Sequence, residues 1–106
     1  MSKPHFTYVL ASKRRGALFV GVTDDLVNRV LDHKCNLVCG ITSQYAIHLL
    51  VYYERHPDRG TALQGERHFR EMHRLWKLEL IERCNPHWCD LYEDLTSSEV
   101  QCLVPG

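Results

Sequence analysis

No apolar run in this chain exceeds a few residues, so no segment has the length to span a bilayer as a helix. The N-terminus MSKPHF lacks the hydrophobic core of a signal peptide, which leaves the cytosol as the expected location and a membrane as no partner. An excess of charge of one sign is also missing, since 13 Lys and Arg balance 13 Asp and Glu. That balance argues against strong nonspecific attraction to nucleic acid. At 106 residues there is room for one hydrophobic core and not for two. A disulfide framework is excluded in turn: five cysteines, an odd number without a signal peptide, read as free thiols. The pairs Cys35–Cys39 and Cys84–Cys89 also lack the common C-x2-C knuckle of zinc sites. Zinc is therefore unlikely by spacing, although an interaction domain held by Cys35, Cys39, Cys84 and Cys89 or His87 stays open as an alternative.

The charges and patterns that are present are distributed unevenly. Residues 1–81 carry 12 Lys and Arg against 8 Asp and Glu, whereas residues 82–106 carry 1 against 5. A mildly basic body with an acidic tail permits a nucleic-acid partner without requiring one. FTYVLAS (6–12) alternates and is rich in β-formers, KRRG (13–16) is a turn, and ALFVGV (17–22) is a second strand, which together make a hairpin. Thr23 then reads as a helix N-cap, with Asp24 and Asp25 in the first turn. Residues 35–46 read as a loop, AIHLLVYYE (46–54) as a third strand, and HPDRG (56–60) as its stop. Helical patterns run from Thr61 to about His73 and over 74–84, the latter ended by Asn85-Pro86. The order β-β-α-β-α-α defines an α+β domain over residues 1–95, with 96–106 as a disordered tail. Trp76 and Trp88 read as packing residues for the last helix and the segment after it, rather than as base-stacking platforms.

Two helices carry residues that sit awkwardly for a plain scaffold. In the first, Leu26, Val27, Val30 and Leu31 form the apolar stripe, and Arg29 and His33 lie one turn apart at its rim. The bland account is that both snorkel beside the core, with Arg29 pairing to Asp25 or Asp32. In the second, Ala62, Leu63, Phe69 and Met72 define an apolar arc that contains Glu66, with Arg70 and His73 close to it. An inward carboxylate costs several kcal/mol unless a cation or hydrogen bonds satisfy it. An i,i+4 Glu66–Arg70 pair is one solution; the other is a cleft in which Glu66 holds Mg²⁺ or Mn²⁺. A metal carboxylate, an arginine and a tyrosine or histidine around one cleft make a phosphodiester-cleaving set.

Three segments taken in order, FTYVLASKRRGALFVGVTDDLVNRVLDHK, VCGITSQYAIHLLVYYE and ERHFREMHRLWKLELIERCNPHWCDLYEDL, make the chain resemble the GIY-YIG nuclease superfamily. The likeness is to its small, single-domain bacterial members and extends over about residues 6–95. It implies a three-stranded antiparallel sheet flanked by helices. It also implies that Tyr8 is the tyrosine ending the first motif and that LFVG, with Gly21, stands at the second, which ends Tyr-Ile-Gly. By the same resemblance Arg29 contacts the scissile phosphate, His33 lies near the active site one turn later, and Glu66 is the single metal-binding glutamate. The implied activity is Mg²⁺- or Mn²⁺-dependent cleavage of branched, nicked or single-stranded DNA, with any targeting supplied by a protein partner.

The chain departs from that pattern in three places. Phe19 stands where the second-motif tyrosine is expected, and phenylalanine can neither position nor deprotonate a water. The loop segment TSQY (42–45) has no basic residue, which leaves Lys13, Arg14 and Arg15 on the hairpin turn and Arg67, Arg70 and Arg74 as the cations for DNA. The cysteines are the third departure. An enzyme using His33 as base and a catalytically impaired nucleic-acid- or protein-binding module are both compatible with these residues.

Overall fold

Seven consecutive residues with β-branched and aromatic side chains among them, His5–Ala11, form strand β1, and everything else is arranged around it. The computed structural model describes residues 3–34 and 47–95. Within them β1 is followed by β2 (Leu18–Thr23), α1 (Leu26–Lys34), β3 (Leu49–His56), α2 (Arg59–Glu71) and α3 (Arg74–Cys84). The sheet is antiparallel with strand order β2-β1-β3. This is the α+β order β-β-α-β-α-α read from the sequence. The 35–46 loop, with Ala46 of the expected third strand, and the 96–106 tail lie outside the described residues.

Helices cover both faces of the sheet, so β1 is buried on both sides from Thr7 to Ala11. Val9, Ala11 and Val51 pack one face against Phe69, Leu78, Ile81 and Trp88. Tyr8, Leu10 and Leu50 pack the other against Leu26, Val30 and Ile47. Register places Tyr8 opposite Gly21 on β2 and opposite Tyr53 on β3. β2 pairs on one side only, which leaves its outer edge free of a strand partner among the described residues.

The hairpin turn closes through Ser12 N–H donating to the Ala17 carbonyl (3.0 Å), with Arg15 in the left-handed region at φ 57°. That conformation is uncommon for a side-chain-bearing residue, and two contacts hold it. The Arg15 guanidinium grips Glu82 bidentately at 2.9 and 3.0 Å, and Arg74 donates to the Arg15 and Gly16 carbonyls. Glu82 also accepts from Trp88 Nε1 at 2.8 Å, and its carboxyl is held down to about 2 by Arg15 first and Trp88 second.

Element boundaries differ from the sequence reading where capping decides them. Asp25, not Thr23, caps α1: its carbonyl accepts from Arg29 N–H at 3.0 Å, while Thr23 Oγ1 accepts from Asp25 N–H one step earlier. β3 runs to His56, because His56 still pairs with His5. α2 begins at Arg59, two residues before the expected Thr61, because Asp58 accepts from Thr61 N–H at 2.9 Å as N-cap and Gly60 is absorbed into the first turn. Asn85 ends α3 and anchors the segment beyond it, donating to the Val51 and Cys89 carbonyls and accepting from Cys89 N–H. Trp88 is buried as expected. Trp76 is not, with 68% of its surface exposed on α3. Leu78 and Ile81 supply the buried face of that helix, and Trp76 points away from it.

Candidate active site at the edge of strand β2

Tyr8 reaches the α1 side of the sheet from the centre of β1 and is 1% exposed. Its ring lies over Gly21, where a Cβ would sit 2.6 Å from the hydroxyl oxygen and 2.7 Å from Cζ. The glycine is needed for this close approach of a side chain to backbone. The Tyr8 hydroxyl is 3.0 Å from Nε2 of His33. Phe19 completes an aromatic trio, its ring centroid 6.2 Å from that of Tyr8 and 5.1 Å from that of His33.

His33 corrects the helical projection. It is 0% exposed and shares the buried stripe of α1 with Leu26 and Val30, whereas Leu31 is turned out to solvent. The i, i+4, i+7 spacing of Leu26, Val30 and His33 selects that face, and the hydrogen bond to Tyr8 makes the imidazole tolerable there. Only Arg29 of the expected rim pair is exposed. Burial and then the Arg29 charge hold the His33 pKa below its ordinary value, so the ring is neutral near pH 7. Burial raises the Tyr8 pKa, opposed by a hydrogen bond and positive charge from Arg29 and reinforced by the Glu66 carboxylate. A neutral phenol beside a neutral imidazole can pass a proton along the 3.0 Å bond with no charge separated beforehand.

Glu66 comes from α2, on the other side of the sheet from α1. Its neighbours one turn away, Ala62 and Phe69, are buried, while the carboxylate retains 15% exposure and is paired with Arg70, itself 65% exposed. The i,i+4 pair that the spacing allowed is therefore formed. The charges of Arg29 on α1 and Glu66 on α2 shift the Tyr8 phenol in opposite directions. The donor set suits a hard divalent cation: one carboxylate, held near the surface, with an exposed guanidinium as a stand-in positive charge. Among the described residues no three His, Cys, Asp or Glu side chains come together, so such an ion would draw its remaining ligands from water and substrate.

The other candidate residues divide. Lys13 and Arg14 are exposed on the hairpin turn, but Arg15 is occupied by Glu82. Arg67 pairs with Glu71, and Arg74 belongs to α3 and is bonded to the turn carbonyls. Arg70 faces Glu66 rather than open solvent alone. Cys84 and Cys89 carry exposed free thiols, and Cys35 and Cys39 lie outside the described residues. The sequence reading missed Arg59, which it assigned to a turn. With Arg29, His5, Val22, Thr23 and Asp24 it lines a groove beside β2. Asp58 three residues before Thr61 was the signal for a helix starting there.

Among the described residues no helix is long and apolar enough to cross a membrane. No curated protein and no solved structure matches the chain. A family model, the GIY-YIG catalytic domain, matches residues 4–79, from β1 through the first half of α3. With the three-stranded antiparallel sheet, that match over more than half of the sequence makes this chain a member of the GIY-YIG family of nuclease domains.

Proposed function

We propose that this protein is a metal-dependent endonuclease that hydrolyses DNA phosphodiester bonds. The observation that carries the reading is the Tyr8 hydroxyl, held 3.0 Å from a neutral His33 and within the influence of both Arg29 and Glu66. A water placed against Tyr8 gives a proton to the phenol oxygen as the phenol gives its own to His33 Nε2. The water oxygen forms the new bond to phosphorus, and the bond from phosphorus to the sugar oxygen breaks. Arg29 pairs with the non-bridging oxygens, whose charge grows in the transition state. Glu66 would hold Mg²⁺ or Mn²⁺, which supplies Lewis-acid stabilisation of the phosphate and the departing oxygen. Proton transfer through Tyr8 and His33 also accounts for a site in which Phe19 stands at the second-motif position.

Phe19 and the near-complete burial of Tyr8 and His33 favour a second reading, in which hydrolysis is lost and the fold binds nucleic acid or a protein. Cleavage assays on branched, nicked and single-stranded DNA with each metal separate the two. The enzyme reading expects cutting that Glu66→Ala and Arg29→Ala abolish. Absence of cutting on all three substrates with either metal refutes it, and a large gain on Phe19→Tyr identifies the native protein as crippled.

A further inference from the structure

Most arginines of this molecule are already occupied. Arg15, Arg67, Arg70 and Arg83 each pair with a carboxylate, and Arg74 is bonded to backbone carbonyls. Neither Arg29 nor Arg59 has a carboxylate partner among the described residues, and these two line the same groove. They reach it from different elements, Arg29 from α1 and Arg59 from the first turn of α2. Among the described residues the one acid on the groove wall, Asp24, has Lys3 at 3.5 Å. Among the described residues of the lining Val22 is the only apolar side chain, so this part of the groove offers little to an apolar ligand. Two planar guanidinium forks, a threonine hydroxyl and a histidine suit phosphate oxygens instead.

We infer that Arg59 binds a second phosphate of the substrate strand, next to the phosphate that Arg29 contacts, and so sets the path of the strand along the groove. This rests on the nuclease reading, since it takes Arg29 as the contact to the reacting phosphate. Arg59 is a binding residue, exposed and outside the core, so its replacement leaves the fold intact.

The test is binding of a short single-stranded DNA without divalent metal, measured by fluorescence anisotropy over a salt series. Each phosphate contact on a single strand contributes about 0.7 to the slope of log K against log salt. Arg59→Ala is expected to make the slope shallower by about that amount, while Arg59→Lys, which keeps the charge, retains most of it. Arg83→Ala, an exposed arginine on α3 paired with Glu79, leaves the slope unchanged. Oligonucleotides carrying one neutral methylphosphonate at a time then locate the contact: one position adjoining the reactive phosphate weakens wild-type binding and has no further effect in Arg59→Ala. An unchanged slope in Arg59→Ala, or an equal loss in Arg83→Ala, overturns the subsite and leaves the nuclease reading standing. A wild-type protein that binds no DNA at low salt overturns both.

Discussion

Replacing Arg70 by alanine should strengthen metal binding, although it removes a positive charge from a protein proposed to bind DNA. The reason is the pair it forms with Glu66. The carboxylate is 15% exposed and the guanidinium 65%, one helical turn apart. Pairs of this kind stabilise a helix by about 0.5 kcal/mol when exposed and by up to about 1 kcal/mol. A divalent ion must displace the guanidinium before it can use the carboxylate, so that energy is subtracted from its binding. Removing Arg70 returns it, which corresponds to an apparent metal affinity about two- to fivefold tighter. Titration of the protein with Mn²⁺, followed calorimetrically or by electron paramagnetic resonance, reads this directly. Arg70→Lys, with its more flexible charge, should fall between wild type and Arg70→Ala, and Glu66→Gln should bind no ion at this site. The difference between wild type and Arg70→Ala should shrink at high salt, where the exposed pair is screened. If Arg70→Ala binds Mn²⁺ no more tightly than wild type, Arg70 does not compete for the carboxylate and Glu66 is not the metal ligand in the way argued.

Tyr8→Phe should abolish cleavage and cost about 1–3 kcal/mol of stability, because it removes the hydroxyl that bonds the buried His33 Nε2; an unshifted urea midpoint would contradict that hydrogen bond. Gly21→Ala should destabilise by about 1–3 kcal/mol through overpacking against the Tyr8 ring, and the double variant with Tyr8→Leu should recover at least part of the loss in the same denaturation assay. The His33 pKa is lower in the folded than in the unfolded chain, so the unfolded state binds protons first as pH falls below about 6.5. Stability and cleavage should both fall as pH drops below that point, and stability in His33→Gln should lose this component. The depressed Glu82 carboxyl acts further into acid: the tie it makes to Arg15 and Trp88 is intact above its unfolded value and is lost as pH falls towards about 2. Glu82→Gln should remove that acid-dependent step from a pH titration of Trp fluorescence.

Sequence patterns were sufficient for the sheet, the hairpin and the three principal helices, because alternation, turn residues and helical periodicity are local properties. The resemblance to the GIY-YIG superfamily singled out Tyr8, Gly21, Arg29, His33 and Glu66 as candidates. Which of them touch was another matter. The projection put His33 at the rim because it counted Leu31 as apolar and therefore inward. Only the packing of α1 on β1 decides that His33 faces Tyr8 while Leu31 faces water. The same limit explains Trp76, whose aromatic ring reads as core until Leu78 and Ile81 are seen to supply the buried face of α3.

Partner choice among charges was least legible. Arg15 belongs with Glu82, 67 residues away, and the basic turn is in part a structural clasp for the last helix. Arg59 and Arg29 are separated by a strand and meet only at one groove. By itself the sequence determined the fold class and the kinds of residue available for chemistry, since hydrophobic period and side-chain type are written along the chain. The tertiary structure alone decided which groups are buried, which cations are already paired and which face the groove, because those depend on contacts between segments distant in sequence.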